Sequence, residues 1–183
     1  MLVTERLLTI DDYLRLPEND RPTELVRGRV VEGCWPTPRH GLVCSTACLI
    51  LGRHIARQEL GHLLNNGTGI ITGRNPDTLR GADIAYYSYT HVPPGPLPDE
   101  YLSVPPELVF EVLSSDDRWS KLLAKVAEYL EAGVTVVCVL GPKTSRAHVY
   151  YADQSAEILS ADDELSFPEI LGEFRVRVGR FFE

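Results

Sequence analysis

An acidic residue in the middle of an apolar strand restricts the folds open to this chain more than any other feature. The stretch PPELVFEVLSS reads as a buried β-strand over Leu108–Leu113, and Glu111 interrupts it. Stripping water from an ionised carboxylate costs on the order of several kcal/mol. The fold must therefore bring a cation, or a set of hydrogen-bond donors, to Glu111.

A second strand-like stretch, ADIAYYS, carries Asp83 in similar surroundings. If the two strands are neighbours, Asp83 and Glu111 can share one divalent cation through oxygen ligands, and the cation offsets both charges. Carboxylates around Mg²⁺ or Mn²⁺ are suited to phosphodiester hydrolysis, in which a metal activates water and stabilises charge on the phosphate. A lysine commonly completes such a set. The residue two after Glu111 shares its strand face, but it is Leu113. The following helix offers a substitute. Its apolar face is expected to be Leu122, Leu123, Val126, Ala127 and Leu130, and Lys125 lies beside it, three after Leu122 and four before Tyr129. Lys121, one turn earlier, is expected to be more exposed.

The chain has 183 residues, enough for one domain, 1–183, with a sizeable core. Helix signals fall at TIDDYLRLP, capped by Thr9, at roughly His40 to Leu60, and at Trp119 to Ala132. The first long helix is expected to bury Leu42, Leu49, Ile50, Ile55 and Leu60 and to stop at Gly61. ELVRGRVVEG reads as a hairpin around Arg27-Gly28. GIITGR, ADIAYYS, ELVFEVLS, TVVCVLG and RAHVYY read as strands, NPDTLRG as a turn, and the stretch from His91 to Pro106 as a proline-rich loop. Strands interleaved with helices predict an α/β domain with a mixed sheet flanked by helices.

The net charge of −8 argues against coating nucleic acid by bulk attraction. It suits a site that gathers carboxylates around a cation. No apolar run approaches the about 20 residues of a membrane-spanning helix, and the N-terminus lacks a signal-peptide pattern, so no membrane partner and a cytoplasmic location are expected. The four cysteines form no CxxC and read as reduced thiols.

Beyond these physical readings, an acid in one strand, an acid in the next and a nearby lysine resemble the PD-(D/E)XK nuclease superfamily. The segment PELVFEVLSSDDRWSKLLAKVAEYLEAGV resembles one bacterial branch of it, the Uma-two family of restriction-endonuclease-like proteins. TELVRGRVVEG, PTPRHGLV, GADIAYYS and LGEFRVRVGRFF are similar to other segments of that family, so the resemblance spans nearly the whole chain. It implies a restriction-endonuclease-like fold with an added N-terminal hairpin. It also implies Asp83 and Glu111 as ligands of Mg²⁺ or Mn²⁺, Lys125 as a relocated catalytic lysine, and Glu24 as a further acid. The implied activity is a metal-dependent endonuclease acting on DNA, and a homodimer is one option. Ala82 and Leu113 depart from the superfamily's Pro and Lys. The alternative is a catalytically inactive binding or interaction module that kept the fold.

Each residue also has a purely structural reading. Glu111 can pair with an internal arginine, Asp83 can cap the Arg80-Gly81 turn, Lys125 can snorkel, and Glu24 can hold the hairpin by a salt bridge. The literal Pro76-Asp77 lies in a turn and is taken as a decoy. His40, Cys44 and Cys48 form an i, i+4, i+8 helical stripe, which lacks a clear fourth ligand for zinc. NNGTGIITG lacks the Lys-Ser/Thr of a phosphate-binding loop.

Overall fold

The computed structural model describes residues 6–17, 20–114 and 119–183. The short helix α1 (Ile10–Leu14) is followed by the hairpin β1 (Thr23–Val26) and β2 (Arg29–Glu32). The long helix α2 (Pro38–Gln58) leads into the hairpin β3 (Gly61–Gly73) and β4 (Thr78–Ser88). Then come β5 (Leu108–Val112), α3 (Trp119–Glu131), β6 (Val136–Gly141) and β7 (Arg146–Tyr150). The chain ends with β8 (Glu157–Leu159), β9 (Glu164–Ser166), α4 (Pro168–Leu171), β10 (Arg175–Arg177) and a 3₁₀ turn over Val178–Phe182.

One mixed sheet of eight strands has the order β2-β1-β4-β5-β6-β7-β8, with β3 on the other edge of β4. Only β5 and β6 run parallel, joined by the crossover through α3; the other pairs are antiparallel. The N-terminal hairpin joins this sheet where Leu25 meets Leu79. Among the described residues, no helix is long and apolar enough to cross a membrane.

Each face of the sheet is covered by one long helix. Leu108, Phe110 and Val112 of β5 pack with Val43, Ala47, Leu51 and Ile55 of α2 and with the C-terminal segment. Val109 faces the other way, with Leu122, Val126 and Tyr129 of α3. This alternation explains why β5 is buried on both faces and reads as a continuous apolar run. It also directs Glu111, two residues from Val109, toward α3.

Three sequence expectations are corrected. Leu42 and Leu49 are about half exposed, at 53% and 52%, because close approach of α2 to the sheet selects the stripe Val43, Ala47, Leu51, Ile55, with small Ala47 at its centre. Likewise Leu123 and Ala127 are exposed, and Tyr129 takes the third buried position of α3. The third and fourth strands extend well beyond GIITGR and ADIAYYS: β3 begins at Gly61, where a stop was expected, and Thr78–Gly81 of the expected turn belongs to β4. Helix α2 ends instead at Glu59, in the left-handed region with φ 51°. All four cysteines are free.

Candidate active site

The site occupies a gap in the sheet. Strand β3 lines one edge of β4 throughout. On the other edge, Leu79 pairs with β1 and Ile84 with β5. Among the described residues, no strand pairs with Arg80–Asp83 on that edge. Buried backbone groups must nevertheless be satisfied, and side chains do it here. Glu24 Oε1 accepts from Gly81 N–H at 2.9 Å, Lys125 Nζ donates to Gly81 O at 2.8 Å, and Asp83 Oδ2 accepts from Val112 N–H at 2.7 Å.

A bulge in β3 lies opposite the gap. Asn65 pairs with Ile84 and Thr68 with Ala82, so Asn66 and Gly67 face the single residue Asp83. Both bulge residues have positive φ, 64° and 72°. Gly suits such a conformation, and Asn tolerates it better than most residues. Facing them, Ala82, Ala85 and Tyr87 all pack on the α3 side, whereas Ile84 and Tyr86 pack on the α2 side. The alternation of β4 therefore changes phase at Asp83. Gly81 contributes by lacking a side chain, since a Cβ there would lie 3.1 Å from the Gly67 carbonyl oxygen.

Asp83, just before Ile84, and Glu111, just after Phe110, lie immediately beyond the last pair of the antiparallel β4–β5 ladder, Ile84 with Phe110. Glu111 is only 5% exposed. Its cation comes from α3: Lys125 Nζ lies 3.0 Å from Oε1 and 3.1 Å from Oε2, and the Tyr129 hydroxyl donates to Oε1 at 2.9 Å. Lys125 also lies 3.3 Å from Glu24 Oε1. Glu24 in turn accepts from Arg80 at 2.8 Å, and Arg80 bridges to Glu128 of α3 at 2.6 Å. Asp83 is approached from the start of α2, where His40 Nε2 lies 3.2 Å from Oδ2. Thr37 caps that helix, its hydroxyl accepting from His40 N–H at 3.4 Å, so His40 stands in the first turn.

The electrostatics follow from burial and pairing. Burial, the largest influence, pushes the Glu111 carboxyl up to about 7; Lys125 pulls it down and the charge of Asp83 adds to the rise. Burial disfavours the Lys125 ammonium, but Glu111, Glu24 and Asp83 more than offset it, so the lysine is held above its ordinary range. Burial likewise works to raise Glu24, yet Lys125 and Arg80 hold it below the usual carboxylate range. Lys125 is thus a permanent cation at neutral pH.

All four residues singled out in the sequence, Glu24, Asp83, Glu111 and Lys125, come together here. The structural readings fare differently. Glu111 pairs with lysine and tyrosine rather than arginine, Asp83 takes the Val112 N–H rather than capping a turn, and Glu24 does hold a salt bridge, to Arg80. Asp77 lies outside the site and ties α1 to the β3–β4 turn by accepting from Ile10 N–H at 2.9 Å. Sequence reasoning left Arg80 and Glu128 outside the network. Tyr129 carried a signal, lying one turn after Lys125 on the same helix. Arg80 and Glu128 carried none beyond being charged.

Asp83 and Glu111 offer oxygen donors of the kind a divalent cation takes. The imidazole of His40 stands against Asp83, whose side chain keeps 22% of its surface exposed and leaves an entrance, while Glu111 is held by Lys125 and Tyr129. Lone pairs remain on Glu111 beyond those engaged by Lys125 and Tyr129.

Comparison with known proteins agrees with this architecture. A solved structure from Anabaena variabilis ATCC 29413, described as "a putative nuclease belonging to DUF820", superposes with a TM-score of 0.84 at 20% identity, covering 96% of this chain and 97% of that one. That likeness speaks to the fold. No curated protein matches the sequence. The family Uma2, described as "Putative restriction endonuclease", matches residues 10–179. The chain belongs to that family.

Proposed function

We propose that this protein is a metal-dependent endonuclease that hydrolyses phosphodiester bonds in DNA, with Asp83 and Glu111 holding Mg²⁺ or Mn²⁺. The observation that carries the reading is the placement of Lys125. Its ammonium lies 3.0 Å from Glu111 and is delivered from a helix to the spot that Leu113 cannot serve. A cation bound by the two acids would supply a Lewis acid for the phosphate and for water. Lys125, held as an ammonium, donates hydrogen bonds and positive charge where the phosphate becomes more negative; it is no general base. Glu24 and the Gly81 carbonyl fix its position. Tyr129 orients Glu111, and the Val112 N–H orients Asp83.

A second reading, a catalytically silent binding module on the same fold, is favoured by the net charge of −8 and by the complete engagement of Lys125 with three partners. Incubation of the purified chain with single- and double-stranded DNA in Mg²⁺ and Mn²⁺ separates the two. Cleavage abolished by Asp83→Asn supports the enzyme. DNA binding without cleavage in either metal supports the silent module.

A further inference from the structure

The sequence stripe His40, Cys44, Cys48 does not converge on one point. Cys48 turns away, its sulfur accepting from the Asn65 amide at 3.5 Å. The other two converge with a residue from a different element. His40 Nδ1 and Cys44 Sγ are 3.5 Å apart, His40 Nε2 and Asp83 Oδ2 are 3.2 Å apart, and the ligand atoms of the three residues all lie within 4.8 Å of one another. Ligands of a tetrahedral zinc ion, bound at about 2.0–2.3 Å, are separated by roughly 3.5 Å. An imidazole gives one nitrogen to an ion, and with one atom from each residue the three lie within 4.8 Å of one another, so a contraction of about 1 Å makes a zinc coordination sphere with one position open.

We propose that His40, Cys44 and Asp83 form a three-ligand site for a thiophilic divalent cation, Zn²⁺, which takes Asp83 away from the cation of the hydrolytic centre. Binding at the site stands on the cluster alone, and only the competition for Asp83 rests on the endonuclease reading. Sulfur and imidazole nitrogen favour Zn²⁺, whereas Mg²⁺ prefers oxygen. The charges also match. Asp83 and a Cys44 thiolate carry two negative charges, which one Zn²⁺ neutralises, and the thiol proton leaves to solvent. The cage is largely built before the ion arrives. His40 and Cys44 are held one turn apart on α2, a helix of 21 residues, and Asp83 is pinned by the Val112 N–H. The side chains of His40 and Asp83 are 13% and 22% exposed, so an ion can reach them.

The consequence is a nuclease with two metal states. With Mg²⁺, Asp83 works with Glu111. With Zn²⁺, Asp83 serves the ion at the His40–Cys44 pair and the hydrolytic centre loses a ligand.

Co²⁺ is the direct probe, because thiolate coordination gives a near-ultraviolet sulfur-to-cobalt charge-transfer band whether or not the protein cuts DNA. The experiment uses a Cys34→Ser background, since Cys34 is exposed and would bind metal by itself. The expected result is a band that saturates at one Co²⁺ per chain, persists in Cys48→Ser and in Glu111→Gln, resists excess Mg²⁺, and disappears with one equivalent of Zn²⁺. Cys44→Ser removes the band, and Zn²⁺ affinity falls by about 100-fold or more. His40→Gln, the second variant, weakens Zn²⁺ binding similarly. Absence of the band in the Cys34→Ser protein, or its survival in Cys44→Ser, overturns the site. Retention of the band in Glu111→Gln keeps the outcome independent of whether the protein is a nuclease.

Discussion

Lys125 and Glu111 are fourteen residues apart in sequence, one on a helix and one on a strand, and their charged atoms meet at 3.0 Å inside the fold. Neither charge is tolerable there alone. Breaking a buried pair by removing one partner typically costs about 3–5 kcal/mol, because the other charge is left unpaired. Lys125→Met should therefore lower stability substantially as well as abolish cleavage, while Lys121→Met, at an exposed position of the same helix, should do neither. In urea denaturation, the double variant Lys125→Met/Glu111→Gln is expected to be more stable than the sum of the single losses by about 1–3 kcal/mol. Simple additivity would mean that the two residues do not depend on each other.

Asp83→Asn isolates metal binding from folding. The amide oxygen still accepts the Val112 N–H, so the metal-free melting temperature should change little. The increase in melting temperature produced by Mn²⁺ in the parent should vanish. An equal increase in the variant would place the ion elsewhere.

The stability of the metal-free protein should depend on pH through Glu111. Its carboxyl titrates at about 7 in the fold against an ordinary 4.5. Between those values the folded chain keeps a proton that the unfolded chain releases. This contribution is full below pH 4.5 and is lost as pH rises through 7. The urea midpoint should therefore be lower at pH 8 than at pH 5.5, and Glu111→Gln should flatten that difference. A variant profile parallel to the parent's would assign the dependence to other groups.

Deleting Asn66 tests the bulge. One-to-one pairing of β3 with β4 would return, and Asp83 would follow regular alternation. The chain should still fold, with a change of about 1–2 kcal/mol or less at a solvent-exposed turn of the strand, but its Mn²⁺-induced stabilisation should disappear. Survival of that stabilisation would show that the bulge does not aim Asp83.

The sequence made Glu111 visible because one acid in a run of apolar residues contradicts its surroundings. Asp83 was visible for the same reason, and Lys125 from its place beside the apolar face of the next helix. The sheet gap was not visible. It depends on β1 and β5 meeting β4 at different points along one edge, a matter of register across distant segments. Arg80 and Glu128 gave no sign of their role, because nothing local distinguishes a charge that bridges a strand to a helix from one that faces water. The bulge had a trace in Asn65-Asn66-Gly67, a pair prone to positive φ preceded by another asparagine. Its meaning emerges only when Asp83 is placed opposite. The stripe on α2 was legible as a stripe, but the residue that completes its cluster comes from another strand.

The gap between β1 and β5 ties chemistry to folding in a way that shapes how such a chain can evolve. Glu24, Lys125 and Asp83 supply the hydrogen bonds that a neighbouring strand would otherwise give to Gly81 and Val112. A lineage that lost its substrate could not freely discard these residues, since a replacement unable to make the same hydrogen bond would leave bare backbone inside the sheet. Drift would first strike what the sheet does not need, such as the rim of the entrance and the surfaces that meet a substrate. An inactive descendant would thus still carry hydrogen-bonding side chains in place of Glu24, Asp83 and Lys125, and its loss of function would be written in the residues around them.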